Sequence, residues 1–233
     1  MGNGAGGIWT ATKFAPPAGS ANPQDVFAVR RVAAVKSVPF QRFCLRRRHA
    51  NSPECAPAGL RTMCVFADGA CINNGSTTVA PQAGCGFVFN RAQGGTVGFP
   101  LEKEGPDGLG HAHTSNRAEL RAVIGALEFR SWWGERWERI VIVTDSTYVA
   151  GGATEWIRIW AGRKWVKSSG SKVQNQDLWE LLSAKIGGYA EGGCEISFWS
   201  VPRKYNQEAD GAATAAAARE GLQSYQKQTG ILV

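Results

Sequence analysis

Four carboxylates occupy positions that packing alone does not explain. Asp68 follows the apolar run Met63–Ala67, and Asp145 follows Arg139–Thr144. Glu119 falls in the first turns of a helical stretch, and Asp210 lies early in an alanine-rich one. An acid at the end of an apolar strand is costly to bury without a partner. The carboxyl ends of strands are also where open α/β sheets carry their sites. Singly, each acid reads first as a turn former or a helix cap. Gathered on one rim, the four would mark that rim as a site.

Bringing them together demands a definite run of elements. Met63–Ala67 closes on Asp68-Gly69, which predicts a strand feeding a turn. Cys85–Asn90 and Thr96–Leu101 are the next predicted strands, with Arg91–Gly95 as the loop between them. Ser115–Arg130 carries Leu120, Val123, Ile124 and Leu127 at helical spacing, and Asn116, three residues before Glu119, predicts a capping-box start. The segment Arg139–Thr144 (RIVIVT) is almost wholly apolar, as the centre of a buried sheet should be. Helices are predicted over Ser146–Trp160 and Asn175–Ile186, a strand over Glu195–Val201, and an alanine-dense helix over Glu208–Arg219. The order βββαβααβα predicts the α/β class, a mixed five-stranded sheet with helices on both faces.

The residues flanking the acids are specific as well. They read Phe66-Ala-Asp68-Gly69-Ala-Cys71 with Asn74-Gly75, then Thr114-Ser-Asn116-Arg117-Ala-Glu119-Leu120. Thr144-Asp145-Ser146-x-Tyr148-Val149 and Val201-Pro202-x-x-x-Asn206-x-x-Ala209-Asp210 follow. In that order they resemble the type 1 ribonuclease H family, in its eukaryotic-type form, over about residues 62–222. The resemblance implies an RNase H-like fold and an endonuclease that hydrolyses the RNA strand of RNA/DNA hybrids, leaving 5′-phosphate and 3′-hydroxyl ends. It implies two Mg2+ ions, Mn2+ being able to substitute. Asp68 would bridge the two, with Glu119 and Asp145 on one side and Asp210 on the other. Clustered acids without metal repel one another, so raised pKa values and stabilisation by Mg2+ are expected.

The same resemblance assigns substrate contacts. Asn74, Ser115 and Asn116 match RNA-contacting positions, where small polar groups can read 2′-hydroxyls in a shallow minor groove. Thr114, Ser168 and Asn175 match DNA-strand positions, with Thr114 and Asn175 in a phosphate pocket, while Tyr148, Trp156 and Trp160 match aromatic positions that pack on deoxyribose. Trp156 and Trp160, four apart, share a helical face and also suit simple helix packing. Between Trp156 and Asp177 the basic residues Arg158, Arg163, Lys164, Lys167 and Lys172 meet no acid, as a phosphate-binding handle would require. Two departures stand out. Ala112 replaces the arginine usual in the phosphate pocket. The stretch before Asp210 is short and lacks the family's loop histidine, for His49, His111 and His113 all lie elsewhere. Arg203 or Lys204 is left to offer charge to the leaving phosphate.

Charge placement sharpens the picture. Residues 1–61 hold nine Lys/Arg against Asp25 and Glu54, so they carry the whole formal charge of +7, and the rest of the chain is neutral. Net charge therefore gives no reason to assign nucleic-acid binding to the body. Residues 1–61 read as a basic leader without persistent structure, in part similar to a mitochondrial transit peptide. Residues 62–222 read as the catalytic domain and 223–233 as a tail. Gly6 stands where myristoylation needs Ser or Thr. Six cysteines without ligand spacing suit a reduced, intracellular setting, with nuclear, cytoplasmic and mitochondrial locations all open. No apolar run approaches a membrane span. A monomer is expected, with an RNA/DNA hybrid as partner. The alternatives are a hybrid-binding protein whose catalysis has lapsed and another nuclease of the RNase H-like superfamily.

Overall fold

The computed structural model describes residues 7–32, 40–45, 61–75 and 78–230. The strands are β1 (Thr12–Lys13), β2 (Phe27–Val32), β3 (Phe40–Leu45), β4 (Thr62–Ile72), β5 (Gln82–Val88), β6 (Thr96–Pro100), β7 (Arg139–Thr144) and β8 (Glu195–Ser200). The helices are α1 (Pro23–Val26), α2 (Ser115–Phe129), α3 (Thr147–Gly151), α4 (Ile157–Gly162), α5 (Gln176–Glu191) and α6 (Gln207–Ala217), with a π turn, Gly152–Trp156, joining α3 to α4. The elements β4 to α6 follow the predicted order, and β7 matches RIVIVT residue for residue.

One mixed sheet runs β1-β8-β7-β4-β3-β2, and the hairpin β5-β6 branches from β4. Among the described residues the sheet has eight strands, rather than the five expected, because β1, β2 and β3 join it. Its parallel centre is β8-β7-β4, whose middle residues are buried because both faces are covered. β4 is the pivot: Met63 and Cys64 pair with β3, and Phe66–Ile72 pair with β5 on the same edge. The predicted turn at Asp68-Gly69 is therefore absent, and the strand runs straight through to Ile72. A packing demand explains the glycine: a Cβ at Gly69 would stand 2.0 Å from the Glu119 nitrogen of α2. Gly69 thus lets α2 settle directly on β4 beside Asp68.

The first face of the sheet carries α2, α3–α4 and α5 over a core built on Val65, Phe87, Leu120, Ile124, Ile142 and Trp179. The second carries α6, which sits so close that a Cβ at Gly84 would meet the Ala217 nitrogen at 2.2 Å. Beyond α6 this face is covered by the segment expected to be a structureless leader. Phe14, Val26 and Phe27 pack there with Val141, Val143 and Trp199, and the rings of Phe14, Phe27 and Trp199 lie 5.5–6.4 Å apart. β1 extends the sheet beside β8, and the β2–β3 hairpin docks on β4. Arg42 of β3 is buried and grips Glu135 through two hydrogen bonds of 3.0 and 2.7 Å. For residues 7–32 and 40–45 the leader reading is therefore corrected: apolar cover and a buried ion pair tie them to the body. Residues 33–39 and 46–60, with Arg46, Arg47 and Arg48 of the transit-like stretch, lie outside the described residues.

Residues 223–230 of the tail are docked too. Arg121 of α2 is fully buried, bonded to Glu102 and to the Gln226 carbonyl, with Tyr225 stacked on its guanidinium.

Candidate active site

The four predicted acids converge electrostatically. Asp68, buried in the middle of β4, has its carboxyl pushed up to about 7 by burial first, then by the nearby charge of Asp145, with smaller contributions from Asp210 and Glu119. Its Oδ1 accepts the Gly69 N–H at 2.8 Å, whereas its Oδ2 is buried with no hydrogen-bond partner among the described residues. Glu119, on the second turn of α2, is likewise raised by burial, partly offset by the Ser146 hydroxyl, which donates to it at 2.5 Å. Asp145 follows β7 directly, and Asn206 donates to its Oδ1 at 2.8 Å. Asp210, on the first turn of α6, pairs with Arg203 at 2.5 Å.

Local sequence accounts for each placement. Ser146 caps α3 by accepting the Val149 N–H and holds Glu119 with its own proton. Asn206 is buried just before α6. Its amide also donates to the Ala67 carbonyl at 3.0 Å, and its backbone carbonyl accepts the Asp210 N–H. It thereby links the strand of Asp68, the carboxylate of Asp145 and the helix of Asp210. Neither Ser146 nor Asn206 was singled out from sequence; the signal available was their place within the motifs. The cap of α2 is Thr114, whose hydroxyl accepts the Arg117 N–H at 3.2 Å, so the capping box expected from Asn116 does not form. Thr114 has the extended backbone that a cap requires, and Glu119 is left free to face the site.

Several predicted substrate residues also fall together. Asn74 donates to Ser115 at 3.5 Å, with the exposed Asn116 next in sequence. Thr114 and Asn175 are joined through Arg117, which donates to Asn175 Oδ1 at 3.3 Å and grips Asp177 through two bonds of 2.9 and 2.6 Å. Asn175 takes a left-handed backbone (φ 58°) and reaches Tyr148 Oη at 3.4 Å. Trp156, Trp160, Trp179 and Tyr148 form a chain of rings 5.4–5.7 Å apart, and the Trp179 indole N–H donates to Tyr148 at 3.0 Å. Trp179, buried and central to that chain, was not predicted, since an aromatic at helical spacing reads first as core. Trp160 packs against the core as well as on Trp156, as its helix-packing reading expects. Arg158, Arg163, Lys164 and Lys172 are exposed on α4 and the turn after it, with Lys167 half-buried and Ser168 exposed beside it. Among the described residues none of these five cations forms an ion pair. The turn is tight, with Lys164 and Trp165 both left-handed (φ 51° and 62°).

All the donors of the carboxylate set are oxygens, and one is buried and orphaned, which suits a hard divalent cation. The RNase H family model matches residues 61–218, and so spans β4 through α6 with every acid of the site. Ribonuclease H of Treponema pallidum is 33% identical over 162 residues, covering 66% of this chain and 90% of that protein. Ribonuclease H of Dinoroseobacter shibae is 34% identical over 157 residues, covering 67% and 88%. Both are bacterial, and neither bears on the eukaryotic-type character expected of the loop before Asp210. Among solved structures, LC9-RNase H1, a type 1 RNase H with the type 2 active-site motif, is 29% identical and covers 70% of this chain and 74% of its own, at a TM-score of 0.48. With the fold, the ordered carboxylates and a family match over most of its length, the chain belongs to the ribonuclease H family.

Proposed function

We propose that the protein is a metal-dependent endonuclease that cuts the RNA strand of RNA/DNA hybrids, leaving 5′-phosphate and 3′-hydroxyl ends. The observation that carries this reading is the Asp68 carboxyl, which is buried, has one oxygen without a partner among the described residues, and is raised to about 7 beside three further acids. A merely structural carboxylate would be paired; this one is left for a cation. Asp68, Glu119 and Asp145 would hold one Mg2+, and Asp68 with Asp210 a second; Mn2+ has the same donor preference. Bound there, the two ions supply water acidified at neutral pH and charge relief at the leaving oxygen.

The chain's own residues do the rest. Ser146 and Asn206 fix Glu119 and Asp145. Arg203, paired with Asp210 and sensing the charges of Asp68 and Asp145, brings a permanent cation to the position where no histidine is available. It cannot serve as a base, because a guanidinium does not release its proton near neutrality. Its role is to offer charge to the departing phosphate. Asn74, Ser115 and Asn116 face the RNA 2′-hydroxyls. Thr114 and Asn175 hold a DNA phosphate, Tyr148, Trp156 and Trp160 pack on deoxyribose, and Ser168 and the handle cations follow the DNA strand. Such backbone contacts give affinity without base preference. The enzyme works as a monomer.

The test is cleavage in Mg2+ of a hybrid with labelled RNA, followed by end analysis of the products. RNA fragments with 3′-hydroxyl ends, and intact duplex DNA and single-stranded RNA, are expected. Tight hybrid binding without cutting would instead establish a lapsed enzyme.

A further inference from the structure

A second group of metal-binding side chains lies outside the carboxylate set. Asp107, His111 and Asp177 each bring a ligand atom to within 4.8 Å of the others. Asp107 and His111 belong to a closed loop between β6 and α2. The Gly105 N–H bonds the Leu109 carbonyl, the Gly108 N–H bonds the Gly105 carbonyl, and Glu104 bridges to Gly110. His111 is anchored in turn by its own N–H to the Lys103 carbonyl at 2.9 Å. Asp177 comes from the first turn of α5, with its side chain 3% exposed.

The polar atoms converge on one ring nitrogen. His111 Nε2 faces Asp107 Oδ1 at 3.0 Å, Asp107 Oδ2 at 3.1 Å and Asp177 Oδ2 at 3.5 Å. A single ring nitrogen carries at most one proton, charged or neutral, so three carboxylate oxygens share it. The Leu109 N–H also donates to Asp107 Oδ1, and Arg117 donates to both oxygens of Asp177.

The separations are also within reach of a shared metal. Ligands about 2.1 Å from a tetrahedral zinc lie about 3.4 Å from one another. The imidazole-to-carboxylate distances of 3.0–3.5 Å straddle that edge length. Asp177 is held by the buried Arg117 fork, the kind of outer hydrogen bonding that orients a metal-binding carboxylate. Half-exposed Asp107 and His111 leave the remaining position open to water. One imidazole with two carboxylates favours Zn2+ over Mg2+, which takes oxygen and keeps its waters.

We propose that Asp107, His111 and Asp177 form a zinc site, separate from the Mg2+ site, that fastens the 103–111 loop to the start of α5. Its test is calorimetric titration of the full-length protein with Zn2+ in excess Mg2+, which keeps the catalytic acids filled. One Zn2+ equivalent should persist in the wild type and weaken at least about tenfold in His111→Ala and Asp107→Asn. His111→Gln keeps a hydrogen bond from loop to helix but offers no imidazole, so it should fold normally and still lose the equivalent. Zn2+ should also raise the melting temperature of the wild type and leave that of His111→Gln unchanged. Absence of a Mg2+-resistant equivalent, or equal Zn2+ binding by the histidine variants, would overturn the proposal.

Discussion

Replacing Asp68 with Asn should make the metal-free protein more stable at neutral and alkaline pH while removing its activity. The carboxyl rises from 3.8 to about 7 on folding, chiefly through burial and then through Asp145. Between those two values the folded state holds a proton that the unfolded chain has released, so stability falls as pH rises through the interval. At about 1.4 kcal/mol for each pH unit, the interval amounts to at most about 4 kcal/mol above pH 7. Asn keeps the acceptor for the Gly69 N–H and removes the charge, so the variant recovers much of that loss. For a chain of this size, about 2–4 °C accompanies each kcal/mol. The melting temperature in chelator at pH 8 should therefore rise by up to about 8–16 °C, whereas at pH 4 the two proteins should melt together. Mg2+ should narrow the difference at pH 8 by stabilising only the wild type. An Asn variant no more stable than wild type at pH 8, or equally stabilised at pH 4, would refute the buried, repelled carboxylate.

Three further outcomes are expected. Phe27→Ala opens the cover over Val143 and Trp199 and should cost about 3–5 kcal/mol in urea unfolding; an unchanged midpoint would mean that the N-terminal segment is not part of the fold. Arg203→Ala should lower kcat about tenfold to a hundredfold, in the range of a lost charge-stabilising donor, with Arg203→Lys keeping part of the rate; steady-state kinetics on a hybrid decide it. Replacing Arg163 and Lys164 together by Ala should weaken hybrid binding and reduce the slope of log K against log salt by about 2, measured by fluorescence anisotropy.

The catalytic half of the fold was legible because its signals are local. RIVIVT is apolar on both faces, and each acid sits at a recognisable point beside a strand or in a helix turn. What escaped reading depends on distant partners. Arg42 in FQRFCL looks like a surface charge until Glu135, far along the chain, buries it, so β2 and β3 were not read as strands. Asp68-Gly69 has the composition of a turn, and only the approach of α2 reveals the glycine as a packing residue. Arg117 carried no assignment within its motif, yet it joins Thr114, Asn175 and Asp177. Positional motifs showed which residues meet, while burial and ion pairing, which fix how they meet, depended on the tertiary structure.

The central claim is that the carboxylate rim hydrolyses the RNA strand of a hybrid. It is met most directly by cleavage of a hybrid labelled on both strands in Mg2+, wild type against Asp145→Asn. The account predicts that the wild type cuts RNA alone and that the variant, still folded and still binding the hybrid, cuts neither strand. Equal cutting by both proteins, or cutting of the DNA strand, would contradict it.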